Sequence, residues 1–281
     1  MTTVIKVGGA RAVDPAGALA DVATLRERGE QVAVVHGGST AVDETLERLG
    51  IEPEYVETPA GVVGRFTDAE TMEVFEMVFG HLNTQLVAGL QSEGVDAVGL
   101  SGVDGKLLYG PRKSAVRVLE DGKRKIRRGD HSGTIERVNG DLLETLLADG
   151  YTPVASPPMA GKDGDAVVPV NTDADRSAAA IAGELDARLV LLTDVAGVYR
   201  DTDDPETRIE SVETPDEWAA LEDAAEGFMG RKVMAAEEAL SAGAPEVVVA
   251  DANAGTPVLS ALEGGGTHVY QSALPAEETD T

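Results

Sequence analysis

Short apolar runs rich in β-branched residues alternate along the chain with stretches in which apolar residues recur at helical spacing. The strands predicted from this pattern are Thr3–Val7, Gln31–Val35, Val95–Leu100, Thr152–Ala155, Val167–Val170, Leu189–Leu192, Glu246–Val249 and His268–Tyr270. The predicted helices are Ala16–Arg28, Ala41–Leu49, Asp68–Gln91 with an interruption near Gly80, Asp141–Asp149, Ala174–Gly183, Arg231–Ala242 and a short one near Val258–Leu262. This alternation predicts an α/β fold with an open, mostly parallel sheet between layers of helices.

One segment departs from the alternation. Ala115–Leu119 and Lys125–Arg127 predict an extended β-hairpin that turns at Asp121-Gly122. No internal repeat and no linker-like composition divides the chain, so we expect one domain over 1–281, with approximate lobes at 1–165 and 166–281.

Composition excludes several kinds of site. The 281 residues include no cysteine, which excludes disulfides, thiolate metal ligands and a cysteine nucleophile. The four histidines lie far apart and form no helical ligand pair, so we expect no resident metal. The first residues reach a lysine and two glycines before any long apolar stretch, and the longest apolar runs are too short to span a bilayer. We therefore expect a cytoplasmic protein.

The charge is strongly negative and unevenly distributed. Fifty Asp and Glu residues against 23 Lys and Arg give a net charge of −27, which argues against a general nucleic-acid binder. Only seven of the cations are lysine, and an acidic, lysine-poor surface is typical of proteins adapted to molar salt. We expect a halophilic protein, with an ordinary acidic protein as the alternative.

The hairpin segment reverses this charge. Between Arg112 and Arg137 nine cations stand against four acids. Such a basic segment in an acidic chain favours an anionic partner over a merely solvated hairpin. A nucleic acid is a poor candidate, because the segment lacks interleaved aromatic residues for base stacking. The cations predicted to bind the partner are Arg112, Lys113, Arg117, Lys123, Arg124, Lys125, Arg127 and Arg128.

Three loops share one design, in which a buried strand runs into small or glycine residues and then into a helix. They are Lys6-Val7-Gly8-Gly9, His36-Gly37-Gly38-Ser39 and Asn171-Thr172-Asp173-Ala174-Asp175. Glycine lets the backbone approach a ligand closely, and helix N-termini present unpaired N–H groups to anions. In open α/β sheets such loops gather at the carboxyl ends of the strands, so the sequence predicts an anion-binding site there.

The order of these motifs resembles the amino acid kinase family. The resemblance rests on the three loops together with Leu192-Thr193-Asp194-Val195-Ala196-Gly197-Val198-Tyr199 and Met229-Gly230-Arg231-Lys232-Val233, and it covers essentially the whole chain. Within the family the chain is most similar to the acetylglutamate kinase branch, and more narrowly to kinases that act on glutamate or 2-aminoadipate attached to LysW, a small acidic carrier protein. The resemblance implies the amino acid kinase fold, ATP with Mg²⁺ as cosubstrate, a carboxyl group as phosphoryl acceptor, and a homodimer. It implies an acceptor- and carrier-binding first lobe and an ATP-binding second lobe.

The resemblance also implies roles for individual residues. Lys6 and Lys232 would be the catalytic lysines that clamp the transferring phosphoryl group, and Asp175 would hold both ammonium groups. Gly8 and Gly9 would bind phosphate through their N–H groups. The residues that would bind the acceptor are Gly37, Gly38, Arg65 and Asn171, and Asp194 would lie at the nucleotide.

One position separates the candidate substrates. Many acetylglutamate kinases have a third glycine after His-Gly-Gly, whereas this chain has Ser39, which weakens the case for free N-acetylglutamate. The basic hairpin favours an acidic carrier in the same way. Free N-acetylglutamate remains the alternative substrate, and a non-catalytic nucleotide- or carrier-binding protein remains the alternative of another class. The sequence leaves glutamate and 2-aminoadipate equally open.

Overall fold

The computed structural model of the chain describes residues 1–8, 15–59, 61, 63–120, 123–225 and 228–275, without the side chain of Phe228. Gly9, the predicted Asp121-Gly122 turn and the acidic terminus 276–281 lie outside the described residues. Among the helices that are described, none is both long enough and apolar enough to cross a membrane.

The described residues form strands and helices in alternation. The strands are β1 (Thr2–Val7), β2 (Gln31–His36), β3 (Tyr55–Glu57), β4 (Val63–Arg65), β5 (Ala97–Gly102), β6 (Leu108–Glu120), β7 (Lys123–Gly133), β8 (Arg137–Val138), β9 (Thr152–Asp163), β10 (Ala166–Val170), β11 (Arg188–Thr193), β12 (Ser211–Val212), β13 (Glu246–Asp251) and β14 (Thr267–Tyr270). The helices are α1 (Ala16–Glu27), α2 (Ser39–Leu49), α3 (Ala69–Ser92), α4 (Gly140–Ala148), α5 (Ala174–Glu184), α6 (Pro215–Ala224), α7 (Phe228–Ser241) and α8 (Pro257–Leu262).

One large sheet carries the fold. Its strand order is β12-β14-β13-β11-β1-β2-β9-β6-β7, with β5 and β10 also paired to β9 and with β8 paired to β6. The pairs β13–β11, β11–β1, β1–β2 and β2–β9 are all parallel. The carboxyl ends of β1, β2 and β11 therefore meet at one edge, as the sequence predicts for the glycine loops.

Alternate residues of the central strands support a core on each face of the sheet. Val4 and Leu191 pack on one face among residues of α5 and α7. Ile5 and Val190 pack on the other face among residues of α1, α3 and α8. Burial on both faces explains why these strands are continuous apolar runs in the sequence. The predicted α/β class with a helix-covered, mostly parallel sheet is confirmed.

Several predicted bounds are wrong for identifiable reasons. The interruption near Gly80 is absent, because Gly80 lies on the exposed side of α3 and costs only about 1 kcal/mol there. Phe75, Val78 and Phe79 on the buried side hold that helix together. β6, β7 and β9 extend well beyond the predicted segments, because each gains hydrogen-bonding partners from other strands. The pattern also misses the β3–β4 hairpin, β12 and α6.

Candidate active site

Two lysines converge on one buried carboxylate at the carboxyl edge of the sheet. Lys6 lies near the end of β1, Asp175 in the first turn of α5, and Lys232 in α7. Lys6 Nζ lies 2.7 Å from Asp175 Oδ1, and Lys232 Nζ lies 3.0 Å from Asp175 Oδ2. The residues Lys6 and Asp175 are only 6% and 9% exposed. Each carboxylate oxygen thus faces its own ammonium group, and three residues far apart in sequence share one place.

The two ammonium groups decide the ionisation of Asp175. Burial by itself raises the pKa of this carboxyl, but the charges and hydrogen bonds of Lys6 and Lys232 outweigh that effect and lower the pKa to about 2. Asp175 is therefore ionised at neutral pH. The cluster carries two positive charges against one negative charge, which leaves a net positive charge for an anion.

Helix capping and helix packing place Asp175 between the lysines. The Asp173 carboxylate caps α5 by accepting from the N–H groups of Asp175 and Arg176 at 2.8 and 3.1 Å. α5 then packs on α7, where Arg176 forms an ion pair with Glu238 at 2.7 Å. These contacts fix the helix that carries Asp175 against the helix that carries Lys232.

The His36-Gly37-Gly38 turn lies beside this cluster. The Gly37 N–H donates to the Val7 carbonyl at 3.3 Å, which ties the turn to the end of β1. Gly38 precedes α2, and a β-carbon on Gly38 would lie 2.6 Å from Leu82 Cδ1. A side chain at this position would therefore have to displace Leu82. Gly8 follows β1 directly at the same edge.

Arg65 is fully engaged with protein groups. Its guanidinium donates to the Asp43 carboxylate, to the Ser39 carbonyl at 3.0 Å and to the Tyr55 hydroxyl at 3.1 Å, and it stacks over the Tyr55 ring. Tyr55 in turn donates to Asp43 at 2.8 Å. The predicted carboxylate-binding arginine thus already holds a carboxylate of its own chain.

Asn171 and Asp194 occupy the two flanks of the site. The Asn171 side chain donates to Thr67 Oγ1 at 2.9 Å, and Thr67 is completely buried. Asp194 follows β11, is exposed, and accepts from Thr193 Oγ1 at 3.1 Å. Both residues lie at ends of strands, as predicted. Their contacts to ligands stay predictions.

The cations of the basic hairpin fall into two groups. Arg112 pairs with Asp163 at 2.5 Å, Lys125 pairs with Glu120 at 2.8 Å, and Arg127 pairs with Glu54 and stacks over Phe66. The remaining predicted cations are exposed and form no ion pair with any residue that the structure describes; they are Lys113, Arg117, Lys123, Arg124 and Arg128.

The model of one protein family matches residues 1–251, and its description is "Amino acid kinase family". The chain belongs to the amino acid kinase family. Among its relatives, an enzyme from Deinococcus radiodurans named [LysW]-aminoadipate kinase is 45% identical over 95% of this chain and 90% of the relative. An enzyme from Methanopyrus kandleri named acetylglutamate kinase is 44% identical over 95% of this chain and 99% of the relative.

Solved structures show the same fold in this family member. The N-acetylglutamate synthase of Neisseria gonorrhoeae, solved with coenzyme A and N-acetylglutamate, superposes with a TM-score of 0.75 at 22% identity. The match covers 96% of this chain and 59% of the synthase. The sequence-based recognition of the amino acid kinase family and of its fold is confirmed.

Sequence reasoning missed the residues that hold the predicted site residues. Asp43 and Tyr55 hold Arg65, and Thr67 holds Asn171. Asp43 lies on a helix and Tyr55 on a short strand that the pattern did not reveal, and no spacing signal links either of them to Arg65. Thr67 precedes Asp68, the N-cap of α3. The cap residue indicates where the helix starts, but it does not indicate the contact between Thr67 and Asn171.

Proposed function

We propose that this protein is an ATP-dependent kinase of the side-chain carboxylate of glutamate or 2-aminoadipate attached to a LysW-type carrier protein, in arginine or lysine biosynthesis. The observation that carries the proposal is the convergence of Lys6 and Lys232 on Asp175 at the sheet edge. The similarity to the [LysW]-aminoadipate kinase of Deinococcus radiodurans supports the substrate class.

The reaction requires charge stabilisation and no proton transfer. A carboxylate oxygen of the acceptor forms a bond to the γ-phosphorus of ATP, and the bond from that phosphorus to the β,γ-bridging oxygen breaks. ADP leaves with the electron pair, and the acceptor becomes an acyl phosphate. Because the acceptor is already ionised at neutral pH, positioning and electrostatics supply the catalysis.

The cluster around Asp175 suits this requirement. Lys6 and Lys232 would contact the negatively charged oxygens of the phosphoryl group during transfer, while Asp175 keeps the two ammonium groups together. The Gly8 and Gly9 N–H groups would bind phosphate, and the Gly38 N–H would bind the acceptor, which would lie against the Gly37 main chain because the Gly37 N–H already donates to Val7. Asp194 would lie beside the nucleotide.

Magnesium would enter with ATP. Within the described residues no group of three or more His, Asp or Glu side chains is placed to hold a metal. The buried carboxylate of the site is already paired with two lysines, so it offers no free oxygen to a cation. The donor set therefore fits a cation that ATP delivers, which screens the phosphate charges, rather than a resident metal.

The acceptor would bind between Arg65 and Asn171. Arg65 can bind the α-carboxylate of the amino acid only by exchanging the Asp43 carboxylate for it. Guanidinium suits this exchange, because both partners are carboxylates that accept from the same N–H donors. Asp43 would then act as the resting occupant of the arginine, and Tyr55 would hold it nearby.

One face of the basic hairpin has the character of a carrier-binding surface. In the β6–β7 register Arg117 pairs with Ile126, and the flanking pairs Ala115–Arg128 and Leu119–Arg124 share that face. Ile126 is 66% exposed and Leu119 is 37% exposed, whereas Val118 on the opposite face is completely buried. This outward hairpin face combines exposed apolar side chains with three arginines that form no ion pair among the described residues. An acidic protein with an apolar patch is the partner that it fits.

The test compares acceptors at matched concentrations. We expect ADP release with the carrier charged with glutamate or 2-aminoadipate, and none with free N-acetylglutamate. The R117E/R124E/R128E variant should raise the KM for the charged carrier while leaving the KM for ATP unchanged. Arg28→Glu, at an exposed position after α1, is the control for added negative charge. Activity on free N-acetylglutamate alone would overturn the carrier assignment.

Two alternatives have their own observations. The similarity to the acetylglutamate kinase of Methanopyrus kandleri supports free N-acetylglutamate as a candidate substrate, whereas Ser39 argues against it. A non-catalytic binding protein would tolerate loss of the lysines, so Lys232→Met separates it from the kinase. The kinase loses turnover in this variant and still binds ATP.

The proposal includes a cytoplasmic homodimer adapted to high salt. The acidic, lysine-poor composition supports the salt adaptation, and the family resemblance supports the dimer. Sedimentation in dilute buffer and in molar KCl measures both properties. A monomer in molar KCl would contradict the dimer, and a structure unaffected by salt removal would contradict the adaptation.

A further inference from the structure

His36 has both ring nitrogens occupied inside the protein. The residue is 2% exposed, and its ring stacks on Phe79 with the ring centroids 5.7 Å apart. Nδ1 lies 3.0 Å from the Gly37 carbonyl oxygen, and Nε2 lies 3.2 Å from Nδ2 of Asn83. Asn83 Nδ2 also lies 2.9 Å from the carbonyl oxygen of Val154 in β9.

These contacts determine how the Asn83 amide is oriented and which ring nitrogen of His36 carries the proton. The Val154 carbonyl can only accept, so the Asn83 atom that faces it must be the amide nitrogen. The second hydrogen of that nitrogen points to His36 Nε2, which must then be the accepting nitrogen. The ring proton therefore sits on Nδ1 and is donated to the Gly37 carbonyl. The Val154 carbonyl, acting through Asn83, and the Gly37 carbonyl thus require the same tautomer of His36.

The same chain of hydrogen bonds orients the Gly37–Gly38 peptide. This peptide is trans, so its N–H points opposite to its C=O. With the Gly37 carbonyl held towards the buried ring, the Gly38 N–H is turned away from His36. No atom of the described residues accepts from the Gly38 N–H. Within the described part of the chain, the turn consequently presents a fixed donor without an acceptor at the sheet edge that carries Lys6.

Close packing keeps Asn83 in place. Gly99 in β5 leaves the space that the carboxamide occupies, because a β-carbon there would lie 2.1 Å from Asn83 Oδ1. Leu82 and Phe79 from the same helix press on Gly38, at 2.6 and 3.2 Å from where a β-carbon would stand. α3 therefore contacts the turn both through the carboxamide and through apolar side chains.

We propose that Asn83 is a positioning residue of the kinase: it fixes the Nδ1–H tautomer of His36, which aims the Gly38 N–H at the acceptor or the transferring phosphoryl group. The inference rests on the proposed function for what the Gly38 N–H binds. The tautomer and the peptide orientation do not depend on the substrate.

Electrostatics agrees with a neutral imidazole. Burial, with a smaller contribution from the positive charge of Lys6, outweighs the Gly37 contact and lowers the pKa of His36 to about 4. Lys6 on β1 is the charged group that faces the ring. The groups contributed by α3 and β9 are the uncharged Asn83, Phe79 and the Val154 carbonyl.

Two variants of Asn83 give opposite pH behaviour. Asn83→Leu removes both N–H donors, so kcat on the charged carrier should fall about tenfold to a hundredfold at every pH. Asn83→Asp makes His36 Nε2 a donor, which leaves Nδ1 of the neutral ring without a proton for Gly37. Protonation of the ring restores that proton, so kcat of Asn83→Asp should rise at least tenfold from about pH 8.5 to about pH 6.

The controls separate positioning from stability. Thr84→Ala removes an exposed polar side chain next in the same helix, and its kcat and pH profile should match the wild type. Nitrogen-15 spectra should show His36 as an Nδ1–H tautomer in the wild type, and this tautomer of the neutral ring should be lost in Asn83→Asp, whose carboxylate accepts from Nε2–H. ATP binding measured by calorimetry should persist in both Asn83 variants.

Each outcome decides one of the two proposals. A wild-type kcat in Asn83→Leu, or equal losses at all pH values in Asn83→Asp, would overturn the positioning role. An Nε2–H tautomer for His36 in the wild type would overturn it without any substrate. If the wild type turns over no carrier-linked acceptor while the Nδ1–H tautomer is observed and lost in Asn83→Asp, the proposed substrate fails and the hydrogen-bond chain stands.

Discussion

Replacing Asp175 by Asn would leave two buried ammonium groups facing an uncharged amide. The pKa of Asp175 is about 2 against an ordinary value of 3.8. This difference corresponds to about 2.5 kcal/mol in favour of the ionised carboxylate, with the opposing effect of burial already included. Breaking a buried ion pair by removing one partner costs about 3–5 kcal/mol, because the remaining charge is left without compensation. We therefore expect Asp175→Asn to lower the unfolding free energy by about 3 kcal/mol, or Tm by about 6–12 °C.

The cause can be isolated with a double-mutant cycle. Asp175→Asn, Lys232→Met and the double variant are compared by thermal unfolding at neutral pH. Because the double variant removes one of the two repelling ammonium groups, its loss should be smaller than the sum of the single losses by about 1–3 kcal/mol. Asp165→Asn, at an exposed position in the turn after β9, is the matched control and should unfold with the wild type.

Nucleotide binding gives a second readout of the same charges. The triphosphate of ATP brings negative charge to Lys6 and Lys232. In Asp175→Asn this charge replaces the one that the carboxylate supplies in the wild type. Saturating ATP with Mg²⁺ should therefore raise the Tm of Asp175→Asn more than that of the wild type, while kcat stays low. An Asp175→Asn variant with the Tm of Asp165→Asn and an unchanged kcat would refute the shared-carboxylate reasoning.

Three further outcomes follow from the structure. The charge on Asp175 stabilises the fold above its unfolded pKa of 3.8, and this contribution is lost only as the pH falls through about 2. His36 is neutral above about pH 4. We therefore expect kcat to stay flat from about pH 5.5 to 8, and an acid limb within that range of the pH–rate profile would contradict these assignments. Ile126 is 66% exposed, so Ile126→Ser should raise the KM for the charged carrier about 5- to 30-fold with the KM for ATP unchanged, and an unaltered carrier KM would remove Ile126 from the docking surface. The ring of His268 contacts Glu246 Oε1 at 2.7 Å and the Gly265 carbonyl at 3.1 Å, away from the site. His268→Asn should therefore lower the unfolding free energy by about 1.5–3 kcal/mol in a denaturant titration while kcat stays unchanged. A changed kcat would show that these contacts are coupled to catalysis.

The sequence predicts the central cluster because local signals mark each member. Lys6 stands before a glycine pair at a strand end, Asp175 stands in a helix start with its own capping Asp173, and Lys232 stands in a family motif. Parallel pairing then brings the strand ends together, which only requires the strands to be recognised. Burial on both faces makes those strands easy to identify, so the carboxyl edge was predictable without any knowledge of side-chain contacts.

The partners of the cations could not be predicted in the same way. Arg127 meets Glu54, and Arg112 meets Asp163, across 73 and 51 residues of chain. The net charge of a segment gives only the balance of its cations and acids. It does not indicate which cations pair with acids from other parts of the fold. The prediction of eight carrier-binding cations therefore treats paired and unpaired residues alike. The β6–β7 register is what separates them.

One missed element did carry a usable signal. Thr214-Pro215-Asp216-Glu217 opens α6 with a capping box, in which Thr214 Oγ1 accepts from the Glu217 N–H and the Glu217 side chain accepts from the Thr214 N–H. A proline in the first turn strengthens the same signal. The apolar pattern alone did not reveal this helix, because only Trp218 and Leu221 of its ten residues are buried.

High salt screens the charges of the catalytic cluster and of the carrier-binding surface to different extents. At about 1 M salt the Debye length is roughly 3 Å, close to the 2.7 and 3.0 Å contacts that Asp175 makes with the lysines. Charges that are buried and in contact keep their full effect under these conditions, whereas exposed charges several ångströms from a partner lose most of it. The outward arginines of the hairpin therefore contribute to carrier binding only in direct contact. An exposed apolar group such as Ile126 keeps its contribution in salt, and we expect the affinity for the carrier to depend on it more strongly as KCl rises.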